Sequence, residues 1–245
     1  MKILDTRKYS EKLKIRSINV FNLTDPEKTV YEFFPENRNE LIEIITNQID
    51  KFGYDCDLNN IDVSHISDMS WLFAKSEDYG YKDFYKFCGD ISKWDVSNVY
   101  YMNSMFRGNE SFNGDISKWN VSNVKDMSIM FRKTTFNGDI SKWNVSNVRT
   151  MYSMFSFSNF DGDISNWNVG KVITMEDMFD HSFFNRDLSK WDVSNVINMS
   201  GMFEYSMFEG DISSWNVDKV YKKQFMFRNS RLENKPYKQP NFLNI

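Results

Sequence analysis

An α/β repeat solenoid is the fold this sequence predicts: short parallel strands and short helical turns stacked behind an N-terminal helical cap. Three observations carry it. Trp94, Trp119, Trp143, Trp167, Trp191 and Trp215 recur at spacings of 25, 24, 24, 24 and 24 residues. Self-similarity at a fixed period of this size marks a stacked array. Inside each copy the apolar spacing changes from a strand-like to a helix-like period. Before the array, one segment has the apolar face and end signals of a single helix.

Residues 1–55 form the expected N-terminal capping segment. Residues 12–21 and 29–34 have strand-like alternation, and Pro35 ends the second. Residues 38–52 read as a helix, with Leu41, Ile42, Ile45, Ile49 and Phe52 on one face. Asn37 or Asn39 can cap its start, Glu40 and Glu43 suit its first turns, and Gly53 suits its end.

The array is expected over residues 56–231, as seven repeats. The first, from Cys56, is degenerate: Ile61 stands where later copies have Trp, and Leu72-Phe73 stand for Met-Phe. Ile61 and Trp94 are 33 apart, which places an insertion at about 74–86. Residues 232–245 read as a C-terminal capping tail containing Pro236 and Pro240, which discourage further pairing.

Residues 112–136, FNGDISKWNVSNVKDMSIMFRKTTF, show one unit. Trp119 and Val121 are two apart, as on a strand face, so a strand near 116–119 is expected to pair in parallel with its equivalents. Val124, Met127, Met130 and Phe131 are spaced as on a short helix, with Met and Phe directed inward. Stacked copies would turn constant residues into ladders. The column Asp90, Asp115, Asp139, Asp163, Asp187 and Asp211 is expected to accept turn N–H groups rather than bind calcium. The Ser and Asx columns read the same way, and the Trp and Met columns read as core.

Composition narrows the function classes. Hydrophobic residues make up 41 %, charged residues 26 % and net charge is -4. That balance suits a soluble chain and offers no basic footprint for nucleic acid. No run of about 18 apolar residues exists to span a membrane. The N-terminus lacks the apolar run of a signal peptide, which points to the cytoplasm. Only Cys56 and Cys88 are present, and two free thiols are expected. No catalytic, cofactor-binding or metal-ligating set is expected, because the polar residues recur in every copy while a catalytic centre needs a unique constellation. His65 and His181 lie several repeats apart.

Specificity is expected where the copies differ. One such place follows the second Val of each unit: Tyr100-Tyr101, Lys125-Asp126, Arg149-Thr150 and Tyr221-Lys222. Tyr152 follows closely. The other lies after Met-Phe and contains Phe157, His181 and Tyr205. The candidate partner surface is therefore Tyr100, Tyr101, Lys125, Asp126, Arg149, Tyr152, Phe157, His181, Tyr205 and Tyr221.

The repeat F-N-G-D-I-S-K-W-N-V-S-N-V-x-x-M-x-x-M-F resembles the BspA-like leucine-rich-repeat surface proteins of bacteria. Within them it is similar to a mycoplasma lipoprotein repeat of unknown function, over about residues 54–232. The resemblance implies a leucine-rich-repeat-like stack and binding rather than chemistry. It also implies a cell-surface or secreted location and a protein partner such as a host matrix or cell-surface protein. The chain is then an adhesin-like module, expected to be a monomer. An intracellular scaffold or a phage or virion structural component is the alternative, and a carbohydrate- or calcium-dependent binder the second.

Overall fold

The computed structural model describes residues 31–75 and 84–242. The strand expected at 12–21 and most of the 74–86 insertion lie outside them. Helix α1 (Arg38–Phe52) begins at Asn37, whose side chain accepts from the N–H groups of Asn39 and Glu40. It ends at Gly53, whose φ of 93° only glycine adopts freely. Leu41, Ile44, Ile45, Gln48 and Ile49 form its buried face. Phe52, expected on that face, is exposed beneath the Lys51 ammonium.

The repeats are built from turns and one-residue parallel pairings, with little regular helix or strand. The strand expected at 116–119 is instead a turn, closed by Trp119 N–H donating to the Ile116 carbonyl at 3.2 Å. This accounts for the three-residue spacing of Ile and Trp, which no flat strand accommodates. Val121 and Val124 close a second turn. Parallel pairing runs further on, through Tyr101, Asp126, Thr150, Thr174, Asn198 and Lys222 in succession.

The helix expected at 124–131 is also replaced. Met127, Ile129, Phe131 and Lys133 donate their N–H groups to carbonyls of the following repeat, at 2.7–3.2 Å. Met130 and Arg132 donate within the turn, to Met127 and Ile129. Ser128 N–H is held by the Asp126 carboxylate at 2.8 Å. Every N–H from 127 to 133 thus has an acceptor, alternately across and within the coil. Continuous α-helix would have spent these N–H groups within the coil and removed their bonds to the following repeat.

One continuous apolar cluster runs from α1 to Leu232. Three aromatic columns run along it. Phe106, Phe131, Phe155, Phe179 and Phe203 stack at 5.6–5.8 Å between ring centroids. Phe112, Phe136, Phe160, Phe184 and Phe208 stack at 6.2–6.4 Å. Trp94, Trp119 and Trp143 stack at 6.5 Å. Each indole N–H is also satisfied by a carbonyl of the preceding repeat, as Trp143 by Ile116 at 3.1 Å and Trp167 by Ile140 at 3.1 Å.

The constant polar residues serve turns. Asp115, Asp139, Asp163, Asp187 and Asp211 each accept the N–H of the Ser two residues on, at 2.8–3.0 Å. Those bonds, from the Ser hydroxyl and N–H together, hold the carboxyls below the ordinary range. Asn123 and Asn147 reach back one repeat to the carbonyls of Ser97 and Ser122. Cys56 is buried, Cys88 is exposed, and both thiols are free.

Candidate functional site

Two positions in each of the six full repeats have left-handed backbone, and Trp71 alone in the first. Ser104, Ile129, Ser153, Asp177, Gly201 and Phe225 form one column, with φ between 50° and 62°. Gly108, Lys133, Phe157, His181, Tyr205 and Asn229 form the other, with φ between 50° and 68°. Non-glycine residues carry a cost of roughly 1–2 kcal/mol there. Before the last repeat, cross-repeat bonds made by the same residues offset it, since their N–H groups are donors in the ladder described above.

In the second column the side chains leave the core and meet one another. The rings of Phe157 and His181 stack at 4.3 Å with 11° between planes, and those of His181 and Tyr205 at 4.4 Å with 27°. Phe157 is 41 % exposed and Tyr205 46 %. The Lys133 ammonium lies 5.5 Å from the Phe157 centroid, and the Arg228 guanidinium 5.9 Å from that of Tyr205. The ladder is thus three aromatic rings with a cation at either end. Centroid spacing rises from 4.3–4.4 Å here to 6.5 Å between tryptophans. Successive repeats therefore fan apart toward the tryptophans, and the exposed ladder lies on the inner side of the fan.

A row of carboxylates runs beside the rings. Asp180 Oδ1 is 2.5 Å from His181 Nδ1, and Asp180 Oδ2 accepts from the Ser156 hydroxyl at 3.3 Å. Glu204 pairs with Arg228. Asp177 has its carboxylate against the open α-carbon of Gly201, where a Cβ would meet Oδ1 at 2.1 Å. Burial, reinforced by Asp180, Glu176 and Glu204 and opposed by Arg132, pushes its carboxyl up to about 6.

The structure divides the ten sequence candidates. Phe157, His181 and Tyr205 come together as the ladder. Tyr100 and Lys125 meet through a cation–π contact at 4.8 Å, and Tyr101 pairs with Asp126 through the backbone. Arg149 lines a separate open cavity of about 370 Å³ with Lys171, Ile173, Asn195, Ile197 and Lys219. Tyr221 is exposed in the last repeat. Tyr152 is half-buried, its N–H turned to the Thr150 hydroxyl. Lys133, Asp180, Glu204 and Arg228 were not among the ten. Their signal was position: each lies in or beside the column of Phe157, His181 and Tyr205.

The family model described as "Mycoplasma protein of unknown function, DUF285" matches residues 42–159 and again residues 133–242. The chain belongs to this family. The two DUF285 matches overlap over 133–159, as a model of several repeats does when it slides along one longer array. The overlap spans Lys133 and Phe157, so both matches include the start of the exposed ladder. Neither the curated proteins nor the solved structures contain a match. Among the described residues, no helix is long and apolar enough to cross a membrane.

Proposed function

We propose that this DUF285 chain is a non-enzymatic protein-binding repeat module, an adhesin-like bacterial surface protein of the BspA-like kind. The observation that carries the reading is the exposed ladder Phe157–His181–Tyr205 between Lys133 and Arg228. Side chains common to all repeats are committed to the core or to turns. The ladder is private to three repeats, rigid by stacking, and open to solvent. Aromatic rings and Arg are the side chains that contribute most at protein interfaces, because they bury large area with little loss of conformational freedom. The inner side of a fanned array is also where repeat proteins present extended binding surfaces.

The test is binding of the intact chain to immobilised extracellular matrix proteins, with the triple variant F157A/H181A/Y205A beside it. The reading expects saturable binding by the native chain and a loss of at least about tenfold in the variant. These side chains lie outside the core, so the variant should keep its melting temperature within about 3 °C. Protease treatment of intact source cells should also remove the ladder epitope; its full protection would overturn surface display.

A further inference from the structure

The last repeat ends the ladder of cross-repeat bonds on one side only. Carbonyls of Lys222, Gln224, Met226 and Arg228 accept from Met199, Gly201, Phe203 and Tyr205. The N–H groups of Lys223, Phe225 and Phe227 face the position of a following repeat, and among the described residues they have no acceptor. The equivalent groups of every earlier repeat are bonded: Phe106 to Met130, Phe131 to Met154, Phe155 to Met178, Phe179 to Met202.

The tail closes the other half of this end. Ile212 N–H donates to the Lys238 carbonyl at 2.9 Å, and Lys235 pairs with Glu209 at 2.8 Å. Leu232 is buried where earlier repeats have Phe. On the open half, Phe225 is 58 % exposed and Phe227 is half-buried. Phe225, Met226, Phe227, Arg228, Gln239 and Phe242 line a cavity of about 420 Å³ there.

The opposite end is covered. In the first repeat Met69, Ser70, Leu72, Phe73 and Ala74 are buried, and the Ser70 carbonyl is held by the Arg38 guanidinium of α1. The two ends therefore differ in polarity and in closure. Two copies cannot pair through their last repeats, because donors would face donors. Head-to-tail pairing would require one copy to lose α1 from its first repeat.

We infer that the exposed rung 223–227 is a docking edge for an extended segment of a partner protein, which adds in parallel as one further rung. Such a segment must present carbonyls at alternate residues, as in strand addition to a sheet edge. It must adopt left-handed backbone at two positions four apart, which glycine does most readily. It must also carry a Phe to stack on half-buried Phe227, as Phe227 itself stacks on Phe203 at 6.2 Å, while Met226 is already buried. The partner is therefore a chain with a Phe-bearing rung of this kind to give. This edge is separate from the aromatic ladder and stands whether or not the ladder binds.

The probe is a fluorescent peptide copying residues 197–208 with Tyr205→Gly, so that glycine occupies both left-handed positions. Amide exchange by NMR on the intact chain should show Lys223, Phe225 and Phe227 exchanging fast and Gly201 and Phe203 protected. The peptide should bind saturably and slow the three fast amides by about tenfold or more. Phe225→Glu and Phe227→Ala should each weaken binding by about tenfold, while Tyr205→Ala should not. Phe225 is largely exposed, so its variant keeps the fold even if Phe227→Ala does not. Absence of saturable binding, equal binding of a scrambled peptide, or slow exchange of the three amides in the free chain would each overturn the inference.

Discussion

Replacing Trp143 by Phe tests whether the array is held together by the indole ladder as well as by burial. Trp143 is fully enclosed, stacks on Trp119 at 6.5 Å, and donates to the Ile116 carbonyl at 3.1 Å. Phe keeps most of the apolar area but has no donor. The Ile116 carbonyl keeps the Trp119 N–H but loses its indole partner, at a cost of about 1 kcal/mol. The smaller ring leaves a void worth about 1 kcal/mol more. The expected loss is therefore about 2 kcal/mol. Trp215→Phe removes the same type of bond, to Leu188 at 2.9 Å, but from the final repeat. In a nearest-neighbour array a terminal loss frays locally, whereas a central loss weakens the whole chain or divides its transition. Urea denaturation followed by far-UV circular dichroism reads both variants. A Trp143→Phe midpoint indistinguishable from the native one would refute the role assigned to the ladder. So would equal losses in the two variants.

Gly89→Ala should destabilise by about 3 kcal/mol, because its Cβ would lie 1.9 Å from the Cys56 carbonyl that pairs with Asp90 N–H. Gly114→Ala meets only the edge of the Phe112 ring and should cost about 1 kcal/mol, so equal losses in thermal melts would contradict the packing. Asp177, raised from 3.8 to about 6, binds its proton more tightly folded than unfolded, so stability should rise as pH falls from 6 toward 3.8. The turn carboxyls have the opposite sign and withdraw their contribution as pH falls below 3.8. Melting temperature against pH should peak in the weakly acidic range, and Asp177→Asn should flatten the rise between pH 7 and 5. Cys88 should react with a thiol reagent at least about 100-fold faster than buried Cys56, whose thiol burial pushes up; equal rates in the folded chain would contradict their placement.

The period, the buried columns and the helix ends were legible because each rests on side-chain type. Trp, Met and Phe at fixed spacing can only be core, and Asn37 with Gly53 bounds a helix by local bonding alone. The path of the backbone inside the repeat was not legible. Spacings of 3, 3 and 1 at Val124, Met127, Met130 and Phe131 suit a helix, yet Ile129 and Lys133 sit at φ of 62° and 55°. Neither residue signals a left-handed position, and a β-branched Ile argues against one. The hints were Gly201 and Asp177 in one column and Gly108, His181 and Asn229 in the other. Bonds to the neighbouring repeats decide the conformation, and they have no counterpart within any single window of sequence.

The same geometry explains why the ladder residues share one column yet carry no motif. A left-handed residue that donates across repeats has its backbone fixed by its neighbours, so its side chain is free of any core requirement. Gly108, Lys133, Phe157, His181 and Tyr205 all occupy the second column with the same cross-repeat bond. Positions that tolerate every residue type carry no motif, and in sequence they read as variable loop. In space they fall one above another, so a choice made in one repeat becomes adjacent to the choice made in the next. Phe157 gains from His181, and His181 from Tyr205, only because the array brings side chains 24 residues apart into ring contact. The repeat therefore does two separable tasks: its constant residues fix the register, and its left-handed column converts that register into a surface that can be composed residue by residue.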